Sequence, residues 1–114
     1  MVTDTTTYTF PEFCRQEGQL AIVIPTYNNA TTLGQVLTDV LTWSFPVIVV
    51  NDGSTDHTVD VLKEFSGIRV ISYPRNRGKG YALNIGLKAV MESGYRYAIT
   101  LDSDGQHYAD DIPV

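Results

Sequence analysis

The chain has 114 residues, 43% hydrophobic and 18% charged, the make-up of one globular domain and not of a disordered or fibrous segment. A net charge of −5 offers no basic face for phosphate neutralisation, which excludes nucleic acid as the main partner. One cysteine, Cys14, excludes an internal disulfide and a Cys-based zinc cage, and no stretch approaches the ~20 apolar residues of a membrane span.

Residues 1–18 read as a polar, Thr-rich lead-in without the basic and apolar regions of a signal peptide. The expected location is therefore the cytoplasm, or the cytoplasmic face of a membrane for a full-length protein. "LAIVIP" (20–25) is a continuous β-branched run, the pattern of a buried strand. Leu33, Val36, Leu37, Val40 and Leu41 then recur at the spacing of one helix face, with Asn29, Thr31 or Thr32 available as N-cap. "VIVVN" (47–51) predicts a second strand.

"DGSTDHT" is a loop, and Val59, Leu62 and Phe65 mark a short helix ending near Gly67. "IRVISY" (68–73) predicts a third strand and "PRNRGKG" a turn-rich loop. A helix over 81–93 follows, with Leu83, Leu87, Val90 and Met91 on its apolar side, and "YRYAITL" (95–101) is the fourth strand. Strands alternating with helices through short connections predict an α/β fold, a largely parallel Rossmann-like sheet covered on both faces. "DDIPV" ends the sequence at Val114, just after the fourth strand and its acidic loop, where an α/β enzyme is expected to continue.

Ligands of such sheets bind outside the carboxyl ends of the strands. Those ends carry Pro25-Thr26-Tyr27-Asn28-Asn29, Asn51-Asp52-Gly53-Ser54, the basic "RNRGKG" (75–80) and Asp102-Ser103-Asp104-Gly105-Gln106. Hard carboxylate oxygens at Asp102 and Asp104 suit Mg²⁺ or Mn²⁺ bound together with substrate phosphates. An Asp-rich turn with Gly105 left-handed is the alternative. For Asp52 the alternatives are turn chemistry or hydrogen bonds to a base or ribose. The basic loop reads either as a solvated turn or as an anion cradle at a helix start. It is not a Walker A loop, since Gly80 follows Lys79 where Ser or Thr is required. Cys14 and His57 read as bystanders, while His107 abuts the acidic loop.

Taken in order, "IVIPTYNN", "VVNDGSTD", "NRGKGYALNIGL" and "LDSDGQH" resemble the serial motifs of inverting family-two glycosyltransferases of GT-A fold. The D-x-D-G-Q-H form is most similar to the dolichol- and polyprenyl-phosphate mannosyltransferase-like branch. The resemblance covers roughly residues 20–112. It implies a nucleotide-diphosphate sugar of UDP or GDP type as donor, with a polyprenyl phosphate or a glycan as acceptor. By the same resemblance Pro25 and Tyr27 line the base and ribose pocket, with Asn29 beside them, and Asp52 bonds base or ribose. Asp102, Asp104 and Gln106 hold Mg²⁺ or Mn²⁺, Ser103 lies by the ribose, and Lys79 and Arg77 fall near the phosphates.

Many relatives carry Glu at the position of Asn29 and Asp at that of Asn51, so the base preference of this chain is its own. The family's catalytic base lies downstream of the D-x-D, and no residue here corresponds to it. That base is therefore expected downstream of Val114, in an acceptor half of the complete protein. Residues 19–114 are thus expected to form the nucleotide-sugar-binding half of a larger domain, with an exposed sheet edge that favours self-association. A sugar-phosphate nucleotidyltransferase would need a Gly-rich basic loop after the first strand, where this chain has "PTYNNATT". A non-catalytic module of the receiver type would carry its acidic pair there as well.

Overall fold

The run Leu20–Thr26 forms β1, and every residue of it is buried, as expected of a strand covered on both faces. The computed structural model describes residues 19–103. The lead-in with Cys14, and the stretch from Asp104 through Gly105, Gln106 and His107 to Val114, lie outside the described residues. The remaining elements are α1 (Ala30–Leu41), β2 (Val47–Asp52), α2 (Thr58–Lys63), β3 (Ile68–Tyr73), α3 (Lys79–Glu92) and β4 (Tyr97–Thr100). The four strands make one parallel sheet in the order β3-β2-β1-β4. The alternating parallel architecture is the one predicted.

The two-residue period of the strands splits the core in two. Leu20, Ile22 and Ile24 join Val47, Val49, Tyr97 and Ile99 beneath Leu33, Val36, Leu37 and Val40 of α1 and Leu62 of α2. Ala21 and Val23 point the other way, with Ile48, Val50 and Ala98, against Ala82, Ala89 and Val90 of α3.

The face of α1 is the predicted one, except that Leu41 is only partly buried. On α2, however, Thr58 and Leu62 are the buried pair, and Val59, predicted to face inward, is 42% exposed. One and a half turns can present only one i, i+4 pair to the sheet, and Val59 lies about 100° away from Thr58.

The predicted face of α3 is also corrected. Its buried residues are Ala82, Gly86, Ala89 and Val90, while Leu83 and Leu87 are half-buried and Met91 is 76% exposed. The cause is a close approach to the sheet: a Cβ on Gly86 would lie 2.4 Å from Val23 Cγ1 and 3.2 Å from Val50 Cγ2. Small residues occupy this contact because larger ones have no room.

From β1 the chain steps outward through β2 to β3, then returns through α3 to place β4 on the far side of β1. The direction of winding therefore reverses between β1 and β4. A crevice opens at that reversal, at the carboxyl ends of the two strands.

Candidate functional site

A cavity of about 210 Å³ occupies this crevice, lined by Pro25, Thr26, Tyr27, Asn29, Asn76, Lys79, Asp102 and Ser103. Six of the site residues named from the sequence thus meet there: Pro25, Tyr27, Asn29, Lys79, Asp102 and Ser103. Asp104, Gln106 and Val114 lie outside the described residues. Asp52 does not line the cavity and is buried, 2% exposed.

Ser103, also 2% exposed, ties the acidic loop to the start of the chain's first βα unit. Its Oγ donates to the Pro25 carbonyl at 3.1 Å and accepts from Asn29 Nδ2 at 2.8 Å. The Thr32 hydroxyl donates to the Ser103 carbonyl at 2.6 Å. Asn29 does occupy the N-cap position of α1, but its side chain makes no capping bond. The orphan N–H of Ala30 is met instead by Asp56 Oδ2 at 3.3 Å. Burial opposes the charge on Asp56, but bonds from the Thr58 hydroxyl and the Thr58 and Ala30 N–H groups outweigh it and hold its carboxyl below the ordinary range.

The loops after β1 and β2 are joined by Asn28, a non-glycine residue at φ 51°. Its Oδ1 accepts from the backbone N–H of Thr55 at 2.8 Å and of Asp56 at 3.3 Å, and its own N–H donates to Ser54 Oγ at 3.0 Å. These bonds fix a left-handed conformation that asparagine tolerates better than most residues.

Asp52 organises the basic loop. Arg77 N donates to its Oδ1 at 2.8 Å, and Gly78 N and Asn76 Nδ2 donate to its Oδ2 at 3.0 and 2.8 Å. Three donors on one buried carboxylate balance its charge without a cation. The neighbouring Gly53, at φ 68°, lets the loop approach so closely that a Cβ there would sit 2.3 Å from Arg75 C and Asn76 N. The Tyr73 hydroxyl is buried without a hydrogen-bond partner of ordinary geometry among the described residues. Burial first, and then the Asp52 carboxylate, pushes its pKa well above the usual tyrosine range.

Of the two cations expected near the phosphates, only Lys79 lines the cavity. The Arg77 guanidinium lies over the Tyr81 ring, 5.4 Å from its centroid, and Tyr81 in turn meets Tyr73 edge-to-face. Lys79 Nζ forms an ion pair with Asp102 Oδ1, so the first residue of α3 is joined to the loop after β4. The lysine side chain is 61% exposed and that of Asp102 is 23% exposed.

The Asp102 carboxylate is a hard oxygen donor at the cavity wall that already holds a positive charge, which fits a divalent cation. Among the described residues no group of three or more His, Cys, Asp or Glu side chains is assembled. Asp102 is the carboxylate among the described residues of the cavity lining that could hold such a cation.

Sequence reasoning set Thr26 and Asn76 at the strand ends but gave neither a role of its own. Thr26 lines the cavity with its Oγ1 buried and unpartnered among the described residues. Asn76 donates from its amide to Asp52 Oδ2, and no spacing in the sequence singles it out from the arginines on either side.

The chain matches the family described as Glycosyl transferase family 2 over residues 21–114. It is 32% identical over 108 residues to the UDP-N-acetylglucosamine–dolichyl-phosphate N-acetylglucosaminyltransferase of Methanococcus voltae, covering 80% of this chain and 43% of that protein. It is 33% identical over 96 residues to the poly-beta-1,6-N-acetyl-D-glucosamine synthase of Staphylococcus epidermidis, covering 79% of this chain and 23% of that protein. The chain thus spans less than half the length of either curated relative. Among solved structures, the Mycobacterium tuberculosis glucosyl-3-phosphoglycerate synthase in complex with Mn²⁺ and UDP-glucose is similar at a TM-score of 0.64 and 24% identity. That likeness, one of fold, covers 89% of this chain and 39% of the other.

Proposed function

The chain belongs to glycosyl transferase family 2, and from that premise we propose that residues 19–114 form the donor-binding half of an inverting glycosyltransferase. The donor is a nucleotide-diphosphate sugar of UDP or GDP type, and the catalytic base belongs to the acceptor half, downstream of Val114. The observation that carries this reading is the cavity at the winding reversal, where Tyr27, Asn29, Lys79 and Asp102 converge from three different strand ends.

Each residue has a physical task in it. Tyr27, 43% exposed at the cavity wall, offers an aromatic face to the base or ribose. The Lys79 ammonium supplies positive charge to the diphosphate. Ser103, Asn29 and Thr32 keep the acidic loop seated, and Asp52 holds the loop that carries Asn76 and Lys79. When bound with Asp102, Asp104 and Gln106 as ligands, Mg²⁺ or Mn²⁺ supplies positive charge against the leaving nucleotide diphosphate.

The relatives' names support two acceptor classes, a polyprenyl phosphate and a growing glycan. No helix among the described residues is long and apolar enough to cross a membrane. A lipid-phosphate acceptor would bring the enzyme to the cytoplasmic face of a membrane. Self-association through an exposed edge of the sheet belongs to the same reading and is checked by size-exclusion chromatography.

Isothermal calorimetry of the full-length protein with UDP, GDP and their sugars, with and without Mn²⁺, tests the donor reading. Metal-dependent binding of one nucleotide class is the expected result, and silence across the panel would overturn it.

A further inference from the structure

We propose that Lys79 is the resident counter-cation of Asp102, occupying in the unliganded protein the oxygen that the divalent ion takes in the loaded one. The inference rests on the donor-site reading above and adds a consequence for the order of binding. The metal alone meets a carboxylate already neutralised, whereas a nucleotide diphosphate draws the ammonium onto its phosphates and releases Asp102 to the metal.

Three observations carry it. Lys79 and Asp102 line the same cavity and pair across it, although they stand at the start of α3 and after β4. Asp52, the buried carboxylate at the end of β2, is already satisfied by Asn76, Arg77 and Gly78, and the Arg77 side chain is held on Tyr81. Among the described residues, Lys79 is thus the one cation of its loop brought to the cavity wall. Its side chain is 61% exposed on a flexible four-carbon stem, so it can leave Asp102 without rearranging the backbone. A pair this exposed is weak enough to yield to a ligand.

Because an ammonium and a divalent ion compete for one oxygen, coupling between nucleotide and metal is reciprocal. By lowering the affinity of the metal alone, the lysine enlarges the factor by which each ligand strengthens binding of the other.

The test measures Mn²⁺ binding to the full-length protein by electron paramagnetic resonance of the free ion, without nucleotide and then with UDP or GDP. Lys79→Met should tighten binding of Mn²⁺ alone by roughly three- to five-fold, the range an exposed ion pair resists. It should also shrink the enhancement of Mn²⁺ binding by the nucleotide. Lys79→Arg keeps the charge and should stay near wild type. Lys88→Met, on the exposed side of α3, makes the same change in net charge and should leave Mn²⁺ affinity unchanged.

Unchanged or weaker Mn²⁺ binding in Lys79→Met overturns the proposal, as does equal tightening in Lys79→Arg or Lys88→Met. Failure of the donor reading is separate and is read in the wild type, as the absence of any nucleotide effect on Mn²⁺.

Discussion

Asn29 Nδ2 donates to Ser103 Oγ at 2.8 Å across 74 residues of sequence, and this bond ties the segment after β1 to the segment after β4 at the cavity wall. The Ser103 proton is committed to the Pro25 carbonyl, so only a donor at residue 29 complements it. Asn29→Ala should therefore cost about 1 kcal/mol of stability, the usual worth of one partly buried hydrogen bond. It should also weaken nucleotide binding by releasing the acidic loop. Urea unfolding and calorimetry check both, and undiminished binding with lost stability would limit Asn29 to a structural part.

Asp52→Asn is expected to be more damaging than its near-identical shape suggests. An amide presents one N–H₂ where the carboxylate offered an acceptor, and it would face either Arg77 N or the donors Gly78 N and Asn76 Nδ2. Leaving buried donors unpaired costs roughly 2–3 kcal/mol. The midpoint of denaturant unfolding should fall, and nucleotide affinity should fall with it, because Lys79 rides on the same loop.

Two helical glycines should respond to alanine with opposite signs. Alanine in a helix gains about 1 kcal/mol over glycine where there is room. Gly34 has room, its nearest neighbour for a Cβ being Val61 Cγ1 at 3.7 Å, so Gly34→Ala should raise the melting temperature. At Gly86 the Cβ would fall 2.4 Å from Val23 Cγ1, and overpacking of about 1–3 kcal/mol outweighs the gain. Gly86→Ala should lower the melting temperature.

Tyr73 gives the fold an alkaline limit. Its folded-state pKa lies above the unfolded value of 10.0, so the stability linked to its neutral form is complete below that pH. As pH rises past the unfolded value, the unfolded chain loses the proton first and stability declines until the folded-state value is reached. Tyr73→Phe should flatten this part of the stability–pH curve relative to wild type, measured by urea unfolding at stepped alkaline pH. An identical slope in both proteins would show that the decline belongs to other groups.

The strands were legible because a parallel strand buried on both faces must be apolar throughout, as Leu20–Thr26 nearly is. The packing face of α3 was not, because periodicity weighs large residues, while the contact belongs to Ala82, Gly86 and Ala89, whose smallness matters. The location of the site followed from topology, since residues after parallel strands share one edge. The partners of its polar atoms did not: spacing places Asp52 and Ser103 at that edge without saying that the chain itself takes up their oxygens.

The sheet divides the interior into two cores that share no side chain, one under α1 and α2 and the other under α3. The cavity straddles this divide, since Asn29 leads into α1 and Lys79 opens α3. The wall that grips the acidic loop and the wall that brings the cation are therefore braced from separate foundations. Loosening Leu37 should disturb the seating of Ser103 and spare Lys79, whereas loosening Val90 should do the reverse, so each half of the site has its own tolerance to change.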